Sequence, residues 1–254
     1  MKSFNDFITY DLRNNMGLYN MTDEFFCCFL NSVRIKENRN VLLVVDSLYE
    51  ANKLYNSLVV YTDKVLLFPM DDFLTSEALA ISPDLMIKRM ESLNLICNND
   101  DKKIVITNLM GYLRFLPSKD KYIKSFINVN KGDVISPSVL VDKLVSIGYS
   151  RDTIVNKTGE FAVRGFIIDV FPIDETNPIR VEFFDDEIES IRAFDVETQK
   201  SLKELDCISI YPFSEFITNT QVDELHFGKQ KYLQLYEKVS NINDYLDNVI
   251  TVYL

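Results

Sequence analysis

The 254-residue chain has no tryptophan, a single histidine, four cysteines and only seven glycines, and each shortage removes a class of function. With one histidine, a Ser-His-Asp arrangement would depend on His226 alone, which sits in a stretch of helical pattern and beside no nucleophile signature. A helix histidine at or near the surface is the expected role. Cys27, Cys28, Cys97 and Cys207 show no C-x-x-C spacing, and adjacent cysteines such as Cys27 and Cys28 rarely bridge, so reduced thiols are expected. The glycines form neither G-x-x-x-x-G-K-S/T nor G-x-G-x-x-G, so the backbone cradle that holds phosphates is missing. The Gly228-Lys229 pair is followed by Gln230 and has Asp223 where the first glycine of such a loop belongs. No apolar run approaches the ~20 residues of a membrane span and no charged-then-apolar leader pattern is visible, so a cytoplasmic protein without membrane contact is expected. Basic residues are also scarce: 27 Lys and Arg face 38 Asp and Glu, a net charge of -11 that argues against a broad phosphate-gripping surface.

What remains is the composition of an ordered protein, 47% hydrophobic and 26% charged, with length for one large or two modest domains. VLLVVD, ending at Asp46, has the form of a Walker B strand, and TDEF (22–25) and VDEL (222–225) mimic a DExx box. Without a phosphate loop these carboxylates have no nucleotide to serve, so helix capping and solvation are their expected roles and no cofactor is expected.

The first half alternates between two periods. Thr22 can cap a helix over 22–34; VLLVV (41–45) reads as a strand buried on both faces; Ser47 can cap a helix carrying Leu48, Ala51, Leu54, Tyr55, Leu58 and Val59 at helical spacing. KVLLF follows as a strand. Ser82-Pro83 then opens a helix burying Met86, Met90 and Leu93 together with Leu85, KIVIT (103–107) is a third strand, and Asn108 caps a short helix through Phe115. Strands alternating with helices predict a parallel sheet. Beyond Leu116-Pro117 come FINV, a helix from Ser136-Pro137 to Gly148, and the strand-like runs TIVNKT, EFAVRGFIIDVFP, PIRVEFF and IESIRAFD joined by DETN and DDE, an α+β insert on an antiparallel sheet. CISIYPF from Cys207 returns to a strand pattern, 221–238 reads as helical, and NVITVYL is a strand at the end of a chain that reads as a segment of something longer. The expected domains are 1–118, 119–206 and 207–254, the last returning to the first.

Within the insert, alternation in IRVEFF places Val181 and Phe183 on one strand face and Arg180, Glu182 and Phe184 on the other. Ile167, Ile168, Val170, Phe171, Val181, Phe183, Ile188 and Ile191 are the expected core. Two readings of the outer residues stay open. Arg180 can pair with Glu182 or Asp185 as a solvated bridge worth ~0 to 1 kcal/mol, with Phe184 covering a hydrophobic rim. Alternatively, arginine and phenylalanine are the residue types that concentrate energy in protein interfaces. DDEIE (185–189) reads as a polar hairpin turn before it reads as a metal cluster. Gly165 marks a close backbone approach or a bulge.

GEFAVRGFIIDVFP with NPIRVEFFDDEIESIRAFDVETQKSL resembles the signature block of the bacterial transcription-repair coupling factors, a block found in looser form in UvrB of nucleotide excision repair. LLFPMDDFLTSEALAISPDLMIKRMESL and KIVITNLMGYLRFLP resemble further segments of that family, so that the likeness covers roughly residues 40–216. UvrB has a working phosphate loop near its start. Here GLYNMTDEFFCCFL (17–30) stands in that region with no lysine and no second glycine, as in the degenerate N-terminal region of the coupling factors. The resemblance therefore implies an α/β fold: a parallel-sheet, P-loop-like domain with a degenerate phosphate loop, plus an inserted α+β domain with an antiparallel sheet. It further implies a non-enzymatic segment that recruits UvrA through Arg164, Arg180 and Phe184, with Glu182 as a weaker member. An intramolecular contact with the C-terminal part of the longer protein would keep it autoinhibited. An ATP-driven motor, RNA polymerase contacts and DNA contacts belong to other domains. The alternatives are a UvrB-like, DNA-loaded ATPase, or a self-contained protein that kept the fold and took another partner.

Overall fold

The computed structural model describes residues 10, 17–72, 82–218, 220, 222–226 and 228–254. Two compact units emerge, Met1–Arg114 with Asn241–Leu254, and Phe115–Ser240.

In the first unit α1 (Asp23–Glu37) begins where the Thr22 side chain accepts the Phe25 N–H and stops at Asn38, whose backbone turns left-handed. β1 (Asn40–Val45) is buried along its whole length. α2 (Leu48–Leu58), capped by Ser47, buries Ala51, Leu54 and Leu58. Then follow β2 (Val65–Phe68), α3 (Pro83–Asn98), β3 (Ile104–Asn108) and α4 (Leu109–Tyr112), the last capped by Asn108 and three residues shorter than expected. A strand from the chain end, Val249–Tyr253, completes a four-stranded parallel sheet in which β1 lies between this strand and β3, and β2 forms the other edge. Helices cover both faces, so the strands carry continuous apolar runs in place of alternation.

α3 departs from expectation in one respect. It buries Met90 and Leu93 as read, but leaves Leu85 and Met86 half-buried and places Arg89 wholly inside. The arginine donates from Nη1 to the Pro69 carbonyl at 2.9 Å, anchoring the chain just past β2. The FLTSEALAI part of the family likeness (73–81) lies outside the described residues. At the same end of the sheet, the Leu48 N–H that opens α2 donates to both carboxylate oxygens of Asp72, at 2.7 and 3.0 Å, and Asn108 Nδ2 donates to Asp72 Oδ1 at 2.7 Å.

The second unit contains β4 (Leu116–Pro117), α5 (Lys119–Lys124), β5 (Ile127–Asn130), α6 (Pro137–Ser146), β6 (Ser150–Arg151), β7 (Glu160–Arg164), β8 (Ile167–Val170), β9 (Ile179–Phe184), β10 (Glu187–Phe194), β11 (Ser201–Leu205), β12 (Cys207–Ile210) and β13 (Val239–Ser240). β7 to β11 form an antiparallel meander, and β6 joins it alongside β7 in parallel. One face of the sheet carries Phe161, Ile168, Val170, Ile179, Val181 and Phe183 into a core shared with Leu140 and Leu144 of α6 and with the β5–β12 ribbon. Ile188 and Ile191 join it as expected. Ile167 and Phe171 are half-buried; Ile167 sits directly across from Glu182, in register with the outer face.

Other departures have local causes. TIVNKT is a turn, because Glu160 Oε2 accepts both the Asn156 and Lys157 N–H groups at 2.9 Å. β11 escapes sequence reading because it is a solvated edge strand, set off by a bulge between Ala193 and Phe194. β12 pairs with β5, which puts 207–240 in the second unit and the return to the first at 241. Among the described residues of 221–238 there is a turn at 224–226 and a 3-10 helix at Gln230–Leu235 where an α-helix was expected; Gly228, at φ +71°, interrupts the helical path.

No helix among the described residues is long and apolar enough to cross a membrane.

Candidate partner-binding face

The face of the meander turned away from the core is built by β7, β8, β9 and β10. Arg164 ends β7 and pairs across a two-residue turn with Ile167 of β8. Of the two turn residues only Gly165 has positive φ, +61°, which is the type II′ geometry that matches the twist of a hairpin. A Cβ at Gly165 would meet no atom within 4 Å, so the glycine serves its backbone angle, and neither a close approach nor a bulge explains it.

Asp169 is the centre of this face. It interrupts the apolar β8, is only 2% exposed, and lies opposite Arg180 in the β8–β9 register. A carboxylate at such a depth is tolerated only when paired and hydrogen-bonded. Arg180 supplies a two-pronged contact, Nε to Oδ1 at 2.7 Å and Nη2 to Oδ2 at 3.0 Å, and Arg164 Nη2 donates to Oδ2 from the neighbouring strand. Arg180 is held further by Gln199 Oε1 at 3.0 Å and by the Phe194 ring, whose centroid lies 4.4 Å from the guanidinium carbon. Its hydrogen bond to Asp169 raises the guanidinium pKa above the ordinary arginine value, against a smaller opposing effect of burial.

Glu182 does different work from that expected. It accepts from Ser190 Oγ at 2.8 Å and pairs with Arg192 Nη2, so it orients Arg192 and leaves Arg164 and Arg180 to Asp169. The bond from Arg192 holds the Glu182 carboxyl below the usual range; burial opposes this and Ser190 assists. The solvated Arg180 bridge to Glu182 or Asp185 is replaced by the Asp169 pair.

The four residues singled out from sequence thus share one face but not one environment. The Arg180 side chain is 15% exposed, that of Arg164 47%, and Phe184 is 70% exposed at the end of β9. Chemically, the face offers a half-exposed guanidinium on β7 and an exposed aromatic ring at the end of β9, with a locked polar layer between them. Asp169 was passed over in the sequence, although a lone carboxylate inside IIDV, two residues from Ile167, carried the signal.

A family model described as the UvrB interaction domain matches residues 127–216, which include every residue of this face named so far. Transcription-repair-coupling factors are similar over 74% of the chain: that of Bacillus subtilis (strain 168) at 34% identity over 191 residues, that of Staphylococcus epidermidis (strain ATCC 12228) at 35% over 190, and that of Staphylococcus aureus (strain MRSA252) at 35% over 189. This chain carries a UvrB interaction domain and is a relative of the transcription-repair coupling factors. It spans 16% of the length of each of these relatives. The UvrB interaction domain lies wholly within the second unit and contains α6, the meander and the β5–β12 ribbon, so the core that supports the outer face and the face itself belong to one module.

Proposed function

We propose that the chain is the non-catalytic N-terminal part of a transcription-repair coupling factor, and that the outer face of β7–β9 recruits UvrA for nucleotide excision repair. The observation that carries this reading is an exposed Phe184 and a half-exposed Arg164, set on a buried Asp169–Arg180 pair, inside a UvrB interaction domain. Arginine and aromatic residues raised on a rigid support are the usual anchors of protein recognition. The longer protein would place its ATP-driven motor, RNA polymerase contacts and DNA contacts outside this chain, act in the cytoplasm, and keep this segment autoinhibited through a contact with its C-terminal part.

Calorimetric titration of the 254-residue chain against UvrA tests the reading, with Arg164→Ala plus Phe184→Ala as the comparison and circular dichroism as the check on folding. Binding by wild type and its loss in a folded double mutant supports the site. Equal binding by both would move the site elsewhere, and no binding by wild type would remove the recruitment role. A rise in melting temperature with Mg-ATP would overturn the non-catalytic assignment, since a ligand that binds only the native state stabilises it.

A further inference from the structure

We infer that Phe166 is a second aromatic contact of this face, so that Phe166, Arg164 and Phe184 together fit a protein surface offering an apolar recess beside a carboxylate and a cationic rim. This rests on the partner-binding reading above and names residues and partner chemistry that the family resemblance does not supply.

Phe166 occupies the second position of the type II′ turn, where the fold requires only a backbone conformation that small polar residues adopt readily. It is 58% exposed, and so contributes little to the core on the other side of the sheet. Its place is nevertheless fixed. The Phe183 N–H donates to the Phe166 carbonyl at 2.9 Å, which pins the turn beside the end of β9, and the next residue of β9 is the exposed Phe184. Arg164 immediately precedes the turn, with one of its terminal nitrogens bonded to Asp169 and nearly half of its side chain in solvent. Two large rings and a guanidinium are therefore presented at one end of the meander, by the β7–β8 hairpin and by the end of β9 to which its turn is hydrogen-bonded, so little backbone ordering is left to be done on binding. Beyond Phe184 the β9–β10 turn exposes Asp185 and Asp186, and Glu187 at the start of β10 is exposed beside them. A partner matching this end places an acid toward Arg164, an apolar recess toward the rings and basic residues toward the turn.

The experiment is titration of the full chain with UvrA, with association and dissociation rates, for wild type, Phe184→Ala, Phe166→Ala and Phe166→Asn; asparagine is a good turn residue, so this variant preserves the hairpin. Tyr49→Ser, at an exposed position of the first unit, is the control. Both Phe166 variants are expected to weaken binding at least about tenfold with unshifted melting curves, and Tyr49→Ser to bind as wild type. If both Phe166 variants bind like wild type while Phe184→Ala is impaired, Phe166 is not a contact and the recruitment site stands without it. If wild type does not bind, both readings fall. Asp185→Asn with Asp186→Asn is expected to slow association several-fold, asparagine being able to keep the positive φ of residue 185. An unchanged association rate would remove the cationic rim.

Discussion

The parallel sheet of the first unit spends both of its faces on packing, while the antiparallel meander of the second spends only one. β1 and β3 are buried along their lengths, whereas β9 alternates between core residues and half-buried or exposed ones. An alternating strand can therefore carry a recognition surface without touching the core, which a doubly covered strand cannot do. The outer face still has an interior of its own, the Asp169 pair, which turns a loose set of surface side chains into a fixed platform.

Three damaging substitutions, the most damaging first, and one control set beside the first of them probe that contrast. Leu43→Asp in β1 puts an unpaired charge into a doubly covered sheet and should abolish cooperative unfolding of the first unit, followed by circular dichroism during heating. The same residue type introduced by Phe184→Asp should leave the melting curve of the second unit in place. Asp169→Ala strips the platform of its carboxylate and should cost about 3 kcal/mol in urea unfolding, the scale for removing one partner of a buried pair. A loss under about 1 kcal/mol would mean that the arginines are solvated without it. Phe184→Ala should weaken UvrA binding by ~2 kcal/mol with a stability change within about 0.5 kcal/mol, measured by titration and urea melts on one preparation.

The smallest effect is on pH dependence. The Glu182 pKa is depressed in the folded chain, so its contribution is fully present above the ordinary value of 4.5 and is lost as pH falls through the lower folded value. Glu182→Gln should accordingly lower the neutral plateau and leave stability near pH 3 little changed, narrowing the difference between about pH 6 and about pH 3. An acid limb unchanged by the substitution would show that Arg192 and Ser190 do not bias this carboxyl.

Much of the fold was legible because its signals are local. The apolar run of β1, the caps at Thr22, Ser47 and Asn108, and the alternation that set Arg180 and Phe184 apart from Val181 and Phe183 each depend on a few neighbouring residues. What stayed hidden depends on pairing at a distance. CISI has the same pattern whether it joins a parallel sheet or the β5 ribbon, and only the register with Ile127–Asn130 decides. The division of labour on the outer face was equally out of reach. Arg164, Asp169 and Arg180 come from three strands, and which arginine is nearly enclosed and which is half-exposed follows from depth in the sheet. β11 gave no signal because a solvated edge has no apolar face to display.

One detail of the first unit concerns the end of the sheet where its helices begin. Helix beginnings in α/β sheets attract anions, and at α2 the attraction is already met by the carboxylate of Asp72, a counterpart carried by the chain itself. A free phosphate would have to compete with a tethered rival at very high local concentration. The same carboxylate also accepts from Asn108, the cap of α4, so a single side chain laces the segment after β2 to the beginnings of two helices.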